Sequence, residues 1–152
     1  MSNTLIKIGV FAFILNSRRE ILLCHRRDYD LWNLPGGGLE NNEVPWEGVV
    51  REVREETGLR VKVKSLTGIY YKPRQQEIVF CFWCLKQGGK ISLNEEADRI
   101  KFFNTNNLPD NISQKQKERI LDFFANNISG NCLKTKVVLK VQKGKDFKED
   151  KK

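Results

Sequence analysis

The stretch from Pro45 to Gly58 constrains this chain most, because one helix there must present two faces of opposite character. Pro45 suits a first helical turn, where its missing N–H is no loss, and Gly58 suits a left-handed C-terminal cap. Between them, Trp46, Val49, Val50 and Val53 form an apolar stripe suited to packing on a sheet. Glu52, Glu55 and Glu56 stand at i, i+3 and i+4 and form a separate acidic stripe. Each close like-charge pair on such a stripe costs roughly 0.2–0.5 kcal/mol, and the macrodipole disfavours anions near a helix C-terminus. Arg51 and Arg54 offset part of that cost, so a charged, solvated face is one reading. A hard cation held by carboxylate oxygens is the other. The preceding Gly36-Gly37-Gly38 favours the cation, since glycine lets backbone carbonyls and amides come close to metal or phosphate.

The flanking pattern is that of a mixed sheet with helices packed on it. Residues 4–15 and Glu20–His25 read as strands joined by a turn at Asn16–Arg19, and Trp32–Gly38 reads as a loop. Val61–Tyr71 and Glu77–Leu85 read as a hairpin across Lys72–Gln75. Gly88-Gly89 marks a turn before short strands at Lys90–Leu93 and Arg99–Phe103. Ser113 suits the N-cap of a second helix whose Ile120, Leu121, Phe123 and Phe124 face a core, and Lys136–Val141 adds a last strand.

A chain of 152 residues supports one domain with a sizeable core. The run Ile8–Leu15 has the apolarity of a signal-peptide core. It lacks a small-residue cleavage pattern, however, and its β-branched and aromatic residues favour a buried strand, so a cytoplasmic protein is expected. Cys24, Cys81, Cys84 and Cys132 then read as free thiols. Cys81 and Cys84 fall three apart on a strand and point to opposite faces, which does not suit a zinc knuckle. The formal net charge is +8, and residues 134–152 supply most of it, with eight lysines against Asp146, Glu149 and Asp150. Such a tail recruits nucleic acid by counterion release, or is a solvated, partly disordered end; only Phe147 is interleaved with its charges. We therefore divide the chain into a domain at 1–133 and a basic tail at 134–152.

The residues from Gly37 onward resemble the box of the Nudix (MutT-like) hydrolases, G-x5-E-x7-R-E-U-x-E-E-x-G-U, with U apolar. Gly37 is followed at the required spacings by Glu43 and by Arg51-Glu52-Val53-Arg54-Glu55-Glu56-Thr57-Gly58-Leu59. Nine defined positions in 23 residues match, which makes the signal specific. The similarity runs more loosely from about residue 5 to residue 125. It implies an α/β/α sandwich around a mixed sheet, with the box as a loop-helix-loop. It also implies that Glu52 and Glu56 ligate Mg²⁺ or Mn²⁺, with Glu55 a ligand or close by and the Gly36 carbonyl completing the shell. Arg51 would orient the glutamates. The family attacks a diphosphate phosphorus with a metal-activated water. The general base is Glu52 or, from a later loop, Glu96.

The box says little about the leaving group, and a nucleoside di- or triphosphate is the least committed substrate. Trp32, Tyr70 and Tyr71 are candidates to stack on a base, against the plainer role of core aromatics. Arg26, Arg27 and Arg74 are candidates to meet phosphates. Two other readings stay open: a non-catalytic nucleotide sensor, and an RNA 5′-end pyrophosphohydrolase using the basic tail. Deleting residues 134–152 is the change that would separate the RNA reading from the small-molecule one. Neither a membrane partner nor an oligomeric state follows from the sequence.

Overall fold

The computed structural model describes residues 5–128 and 136–144; the expectations for Cys132 and for the end of the tail lie outside them. In chain order the elements are β1 (Lys7–Ile14), β2 (Ile21–Arg26), β3 (Trp32–Asn33), β4 (Gly36–Gly38), α1 (Pro45–Thr57), β5 (Leu59–Lys72), β6 (Glu77–Gly89), β7 (Ala97–Phe103), α2 (Gln114–Asn127) and β8 (Val138–Val141). Five strands form a mixed sheet in the order β4-β1-β6-β5-β8, and β3-β2-β7 form a smaller antiparallel one. In the larger sheet, β1 runs parallel to β6 and β5 parallel to β8, whereas β1/β4 and β5/β6 are antiparallel.

Period-two alternation assigns each strand's side chains to one of two cores. Val10, Ala12 and Ile14 of β1 and Phe82 and Cys84 of β6 pack with Val49 and Val53 of α1. Phe13 of β1 and Val79 and Cys81 of β6 pack with Ile120 and Phe123 of α2. The helices thus cover opposite faces, giving the α/β/α sandwich. Cys81 and Cys84 fall in different cores as free, buried thiols. Among the described residues no helix is long and apolar enough to cross a membrane.

The structure corrects four local expectations. Gly36–Gly38 is an edge strand paired with Gly9–Phe11, not a loop. Gly88 and Gly89 still pair with Arg60 and Leu59, so the turn comes after them. Lys90–Leu93 is not a strand, because its backbone serves the end of α1 instead: Ser92 N–H donates to the Thr57 carbonyl (2.9 Å), one of the groups a helix C-terminus leaves unmet. Leu121 and Trp46 are 46% and 58% exposed, at the margins of their helices' apolar stripes.

One glycine of the edge strand is required by close approach. A Cβ at Gly36 would lie 2.1 Å from the Val10 carbonyl oxygen and 2.8 Å from the Phe11 Cα, both backbone atoms that cannot swing aside. Gly36→Ala is expected to force β4 off β1 and cost about 2 kcal/mol or more. A denaturation midpoint within error of wild type would contradict this account.

Candidate active site

Pro45 at N1 and Gly58 at C′ (φ 81°) bound α1 as its sequence demands, and Gly58 N–H returns to the Arg54 carbonyl. With Val49 and Val53 fixed in the core, Glu52 and Glu56 are turned toward the glycine strand. Gly36 N–H donates to Glu56 Oε2 at 2.8 Å. A Cβ on Gly37 would stand 2.9 Å from the Glu52 carboxylate, so the bare backbone there makes room for that group.

Arg51 is the hub that orders the acidic face. Its Nε and Nη2 donate to the two Glu43 oxygens (2.7 and 2.9 Å), and its Nη1 donates to Glu52 (3.1 Å) and Glu55 (3.0 Å). Nη2 also reaches the Gly38 carbonyl (3.2 Å), tying the helix to β4. Each of its nitrogens is engaged within the protein. The hydrogen bonds from Arg51 hold the Glu43 carboxyl below the usual carboxylate range.

Glu96 arrives from the other side. Asn94 Nδ2 donates to the Glu56 carbonyl, while Asn94 Oδ1 accepts from Glu96 N–H (2.8 Å) and Ala97 N–H (3.0 Å). Arg27 fixes the same turn, its Nε donating to the Asn94 carbonyl (2.6 Å). The loop before β7 is therefore hung on the C-terminal end of α1, and Glu96 shares the field of Glu52 and Glu56. Burial first, then the Glu52 and Glu96 charges, push the Glu56 carboxyl up to about 8 against the Gly36 hydrogen bond. Glu52 is raised as well, mainly by burial, with Arg51 opposing.

Glu56, Glu96, Gly36, Gly37 and Arg26 line a cavity of about 470 Å³. Arg26 keeps its place in the wall while paired with Asp28 (Nε to Oδ1, 2.7 Å). The other two substrate-contact expectations need correction. Trp32 is 4% exposed, edge-on to His25 and Phe103 in the core, and offers no face to a base. Arg74 is exposed in the β5–β6 turn and does not line the cavity, though Gln75 beside it does. Tyr70 is buried too, its hydroxyl donating to Asp122 (3.0 Å).

Among the cavity-lining residues that the sequence does not single out are His25, Lys72, Gln116 and Arg119. His25 bridges Asp98 (2.7 Å) and Asp30 (2.8 Å), clamping the loop after β2 against β7. These hydrogen bonds from His25 lower both aspartate pKa values. For α2 a signal existed, since Gln116 and Arg119 continue the stripe of Ile120 and Phe123 and so place polar groups on a buried face.

The donor set suits a hard cation. It is all oxygen, and half-buried Glu56 has carboxylates for neighbours and no basic side chain hydrogen-bonded to it among the described residues. Among the described residues no three acidic, histidine or cysteine side chains form a ready ligand group, because Arg51 draws Glu52 and Glu55 to itself. Mg²⁺ does not demand such a cage: it keeps several waters and binds through one or two carboxylates plus phosphate oxygens.

Comparison with known proteins bears on the same residues. The NUDIX domain family matches residues 5–123. A MutT-like protein of Streptomyces ambofaciens is 34% identical over 119 residues, covering 76% of this chain and 75% of that one. An 8-oxo-(d)GTP phosphatase of Mycolicibacterium smegmatis is 30% identical over 127 residues, 82% of this chain and 38% of that protein. The crystal structure of an ADP-ribose pyrophosphatase from Streptococcus suis superposes with a TM-score of 0.76 at 26% identity, covering 88% of this chain and 98% of that one.

Proposed function

The chain belongs to the Nudix hydrolase family, and we propose that it hydrolyses the diphosphate linkage of a nucleoside di- or triphosphate, or a related nucleotide derivative, with Mg²⁺ or Mn²⁺. The observation that carries this reading is the half-buried Glu56 carboxylate in the cavity wall, anchored by Gly36 and flanked by Glu52 and Glu96. Relatives named for their substrates act on an oxidised guanine nucleotide and on ADP-ribose, and each of these contains such a linkage.

Glu52 and Glu56 would hold the cation, with Glu55 beside them and the Gly36 carbonyl as a further oxygen. When bound, the cation neutralises charge on the phosphate oxygens and lowers the pKa of a water. Arg51 keeps the glutamates in register through its bonds to Glu43, Glu52 and Glu55. Glu52 or Glu96 takes the proton from the attacking water. Arg26 stands in the wall where it can meet a phosphate oxygen. A sensor that binds without cutting would not need this full set of carboxylates.

The test is metal-dependent turnover of wild type beside Glu52→Gln on nucleoside triphosphates, oxidised dGTP, ADP-ribose, a dinucleoside polyphosphate and 5′-triphosphate RNA. Turnover of one class, reduced by on the order of a hundredfold or more in the variant, is expected. No turnover of any of them, with tight metal-dependent binding, would establish the sensor instead.

A further inference from the structure

Arg119 is 2% exposed, yet it lines the same cavity as Glu56 and Glu96. It enters from α2, on the face of the sheet opposite the helix that carries Glu56. Its Nε donates to Gln142 Oε1 at 3.0 Å. Its guanidinium lies by two aromatic rings, with Cζ 5.6 Å from the Phe11 centroid and 5.5 Å from that of Tyr70. Gln142 is itself fixed: its N–H donates to the Tyr71 carbonyl (2.8 Å) and its Nε2 to the Lys115 carbonyl (3.0 Å). The orientation of the guanidinium is thus set, while its two terminal nitrogens have no hydrogen-bond acceptor among the described residues. No carboxylate among the described residues forms an ion pair with it.

One turn earlier, Gln116 repeats the pattern. Its Oε1 accepts from Leu34 N–H (2.6 Å), and its amide NH₂ has no partner among the described residues. The cavity therefore receives donors from α2, and its lining includes apolar Phe11, Leu31 and Leu34 as well as Lys7, Lys72 and Glu77. These donors face the cavity rather than sealed core, so a ligand that presents two acceptors would take the place of water there.

Resting on the nucleotide reading above, we propose that Arg119 determines base specificity: its terminal nitrogens, with the Gln116 amide, bind the O6/N7 edge of a 6-oxopurine, and Gln142 is the positioning residue. A rigid guanidinium fork matches two coplanar acceptors, which is what the O6 and N7 of guanine or hypoxanthine provide. Adenine places an amino donor at position 6, against a guanidinium that can only donate. Phe11, Leu31 and Leu34 offer apolar surface to the faces of a base. Gln142 lies beyond the residues 5–123 matched by the family, so the segment just after β8 of this chain completes the site.

Calorimetric binding of IMP and AMP to the wild-type protein tests the proposal independently of turnover, since neither contains a diphosphate. The two differ essentially at position 6. IMP is expected to bind roughly ten- to hundredfold tighter than AMP. Arg119→Met and Arg119→Lys should both reduce IMP to the level of AMP, because a lysine supplies the charge without the fork. Gln142→Met should lose part of the preference through KM for ITP, with kcat for ITP held. Melting curves identify any variant that has failed to fold, and the ITP/ATP ratio of kcat/KM in wild type gives a reading that needs no variant. Equal binding of IMP and AMP with equal kcat/KM for ITP and ATP overturns the proposal. So does full retention of IMP binding by Arg119→Lys together with binding of ribose 5-phosphate, which would make this an anion site. Loss of the diphosphatase reading shows separately, as absence of turnover with every nucleotide.

Discussion

Glu56→Gln is expected to abolish turnover while making the metal-free protein more stable, not less, above about pH 8. The first effect follows from removing a carboxylate that the cation needs, worth several kcal/mol of transition-state stabilisation, or about a thousandfold in kcat. The second follows from the direction of the Glu56 shift. Its pKa rises from the ordinary 4.5 to about 8 in the folded protein, so between those values the native state holds a proton that the unfolded chain has released. Stability of the metal-free protein therefore falls as pH rises through this window, by on the order of a few kcal/mol in all. Glu52, shifted the same way, adds to the slope. Glu43, Asp30 and Asp98 act in the opposite sense, their lowered values giving stability that disappears as pH falls below the usual carboxylate range. Glutamine carries no such charge, so the variant's melting temperature in EDTA should vary less between pH 5 and 8. Added Mg²⁺ or Mn²⁺ should raise the wild-type melting temperature at pH 8 by mass action and leave the variant nearly unmoved. Equal stabilisation of both proteins by the cation would rule Glu56 out as a ligand.

Local rules made one half of the site legible and left the other half hidden. Pro45, Gly58 and the spacing of Glu52, Glu55 and Glu56 fix a helix and its acidic face without reference to the rest of the chain. The alternation of β6 likewise separates Cys81 from Cys84 between two cores. What local pattern could not supply was the partner of each exposed backbone group. Ser92 reads as part of a short strand and Asn94 as part of an exposed loop, but they serve the last carbonyls of α1, and that carries Glu96 to Glu56. For Trp32 the sequence leaves a stacking surface and a core aromatic both open; the core neighbours that decide it, His25 and Phe103, come from β2 and β7. Arg119 carries little local signal because charge at a helix surface is ordinary, and the partner that fixes it, Gln142, lies 23 residues downstream.

That dependence changes what truncation of the basic tail will do. Removing residues 136–152 is expected to lower the melting temperature by about 10 °C, corresponding to a few kcal/mol. β8 pairs with Gly68–Tyr71, so its loss turns β5 into an open edge. It also strips Arg119 Nε and the Lys115 carbonyl of their buried partner Gln142, and it removes Lys140 from Asp122 (3.0 Å), which accepts the Tyr70 hydroxyl. A loss of activity in such a truncation would therefore say nothing about RNA. Ending the chain after Gly144 keeps every one of these contacts, and wild-type stability and kcat/KM for a free nucleotide are expected. The same cut removes four lysines with three acids, so it leaves most of the tail's net positive charge in place, at Lys134, Lys136, Lys140 and Lys143. Since Lys140 is engaged with Asp122 and Glu118, the change that isolates counterion release is glutamine at Lys134, Lys136 and Lys143 together. If the substrate is a free nucleotide, that triple variant should turn it over at the wild-type rate. A fall in the affinity for 5′-triphosphate RNA, with a shallower salt dependence, would favour the RNA end as substrate.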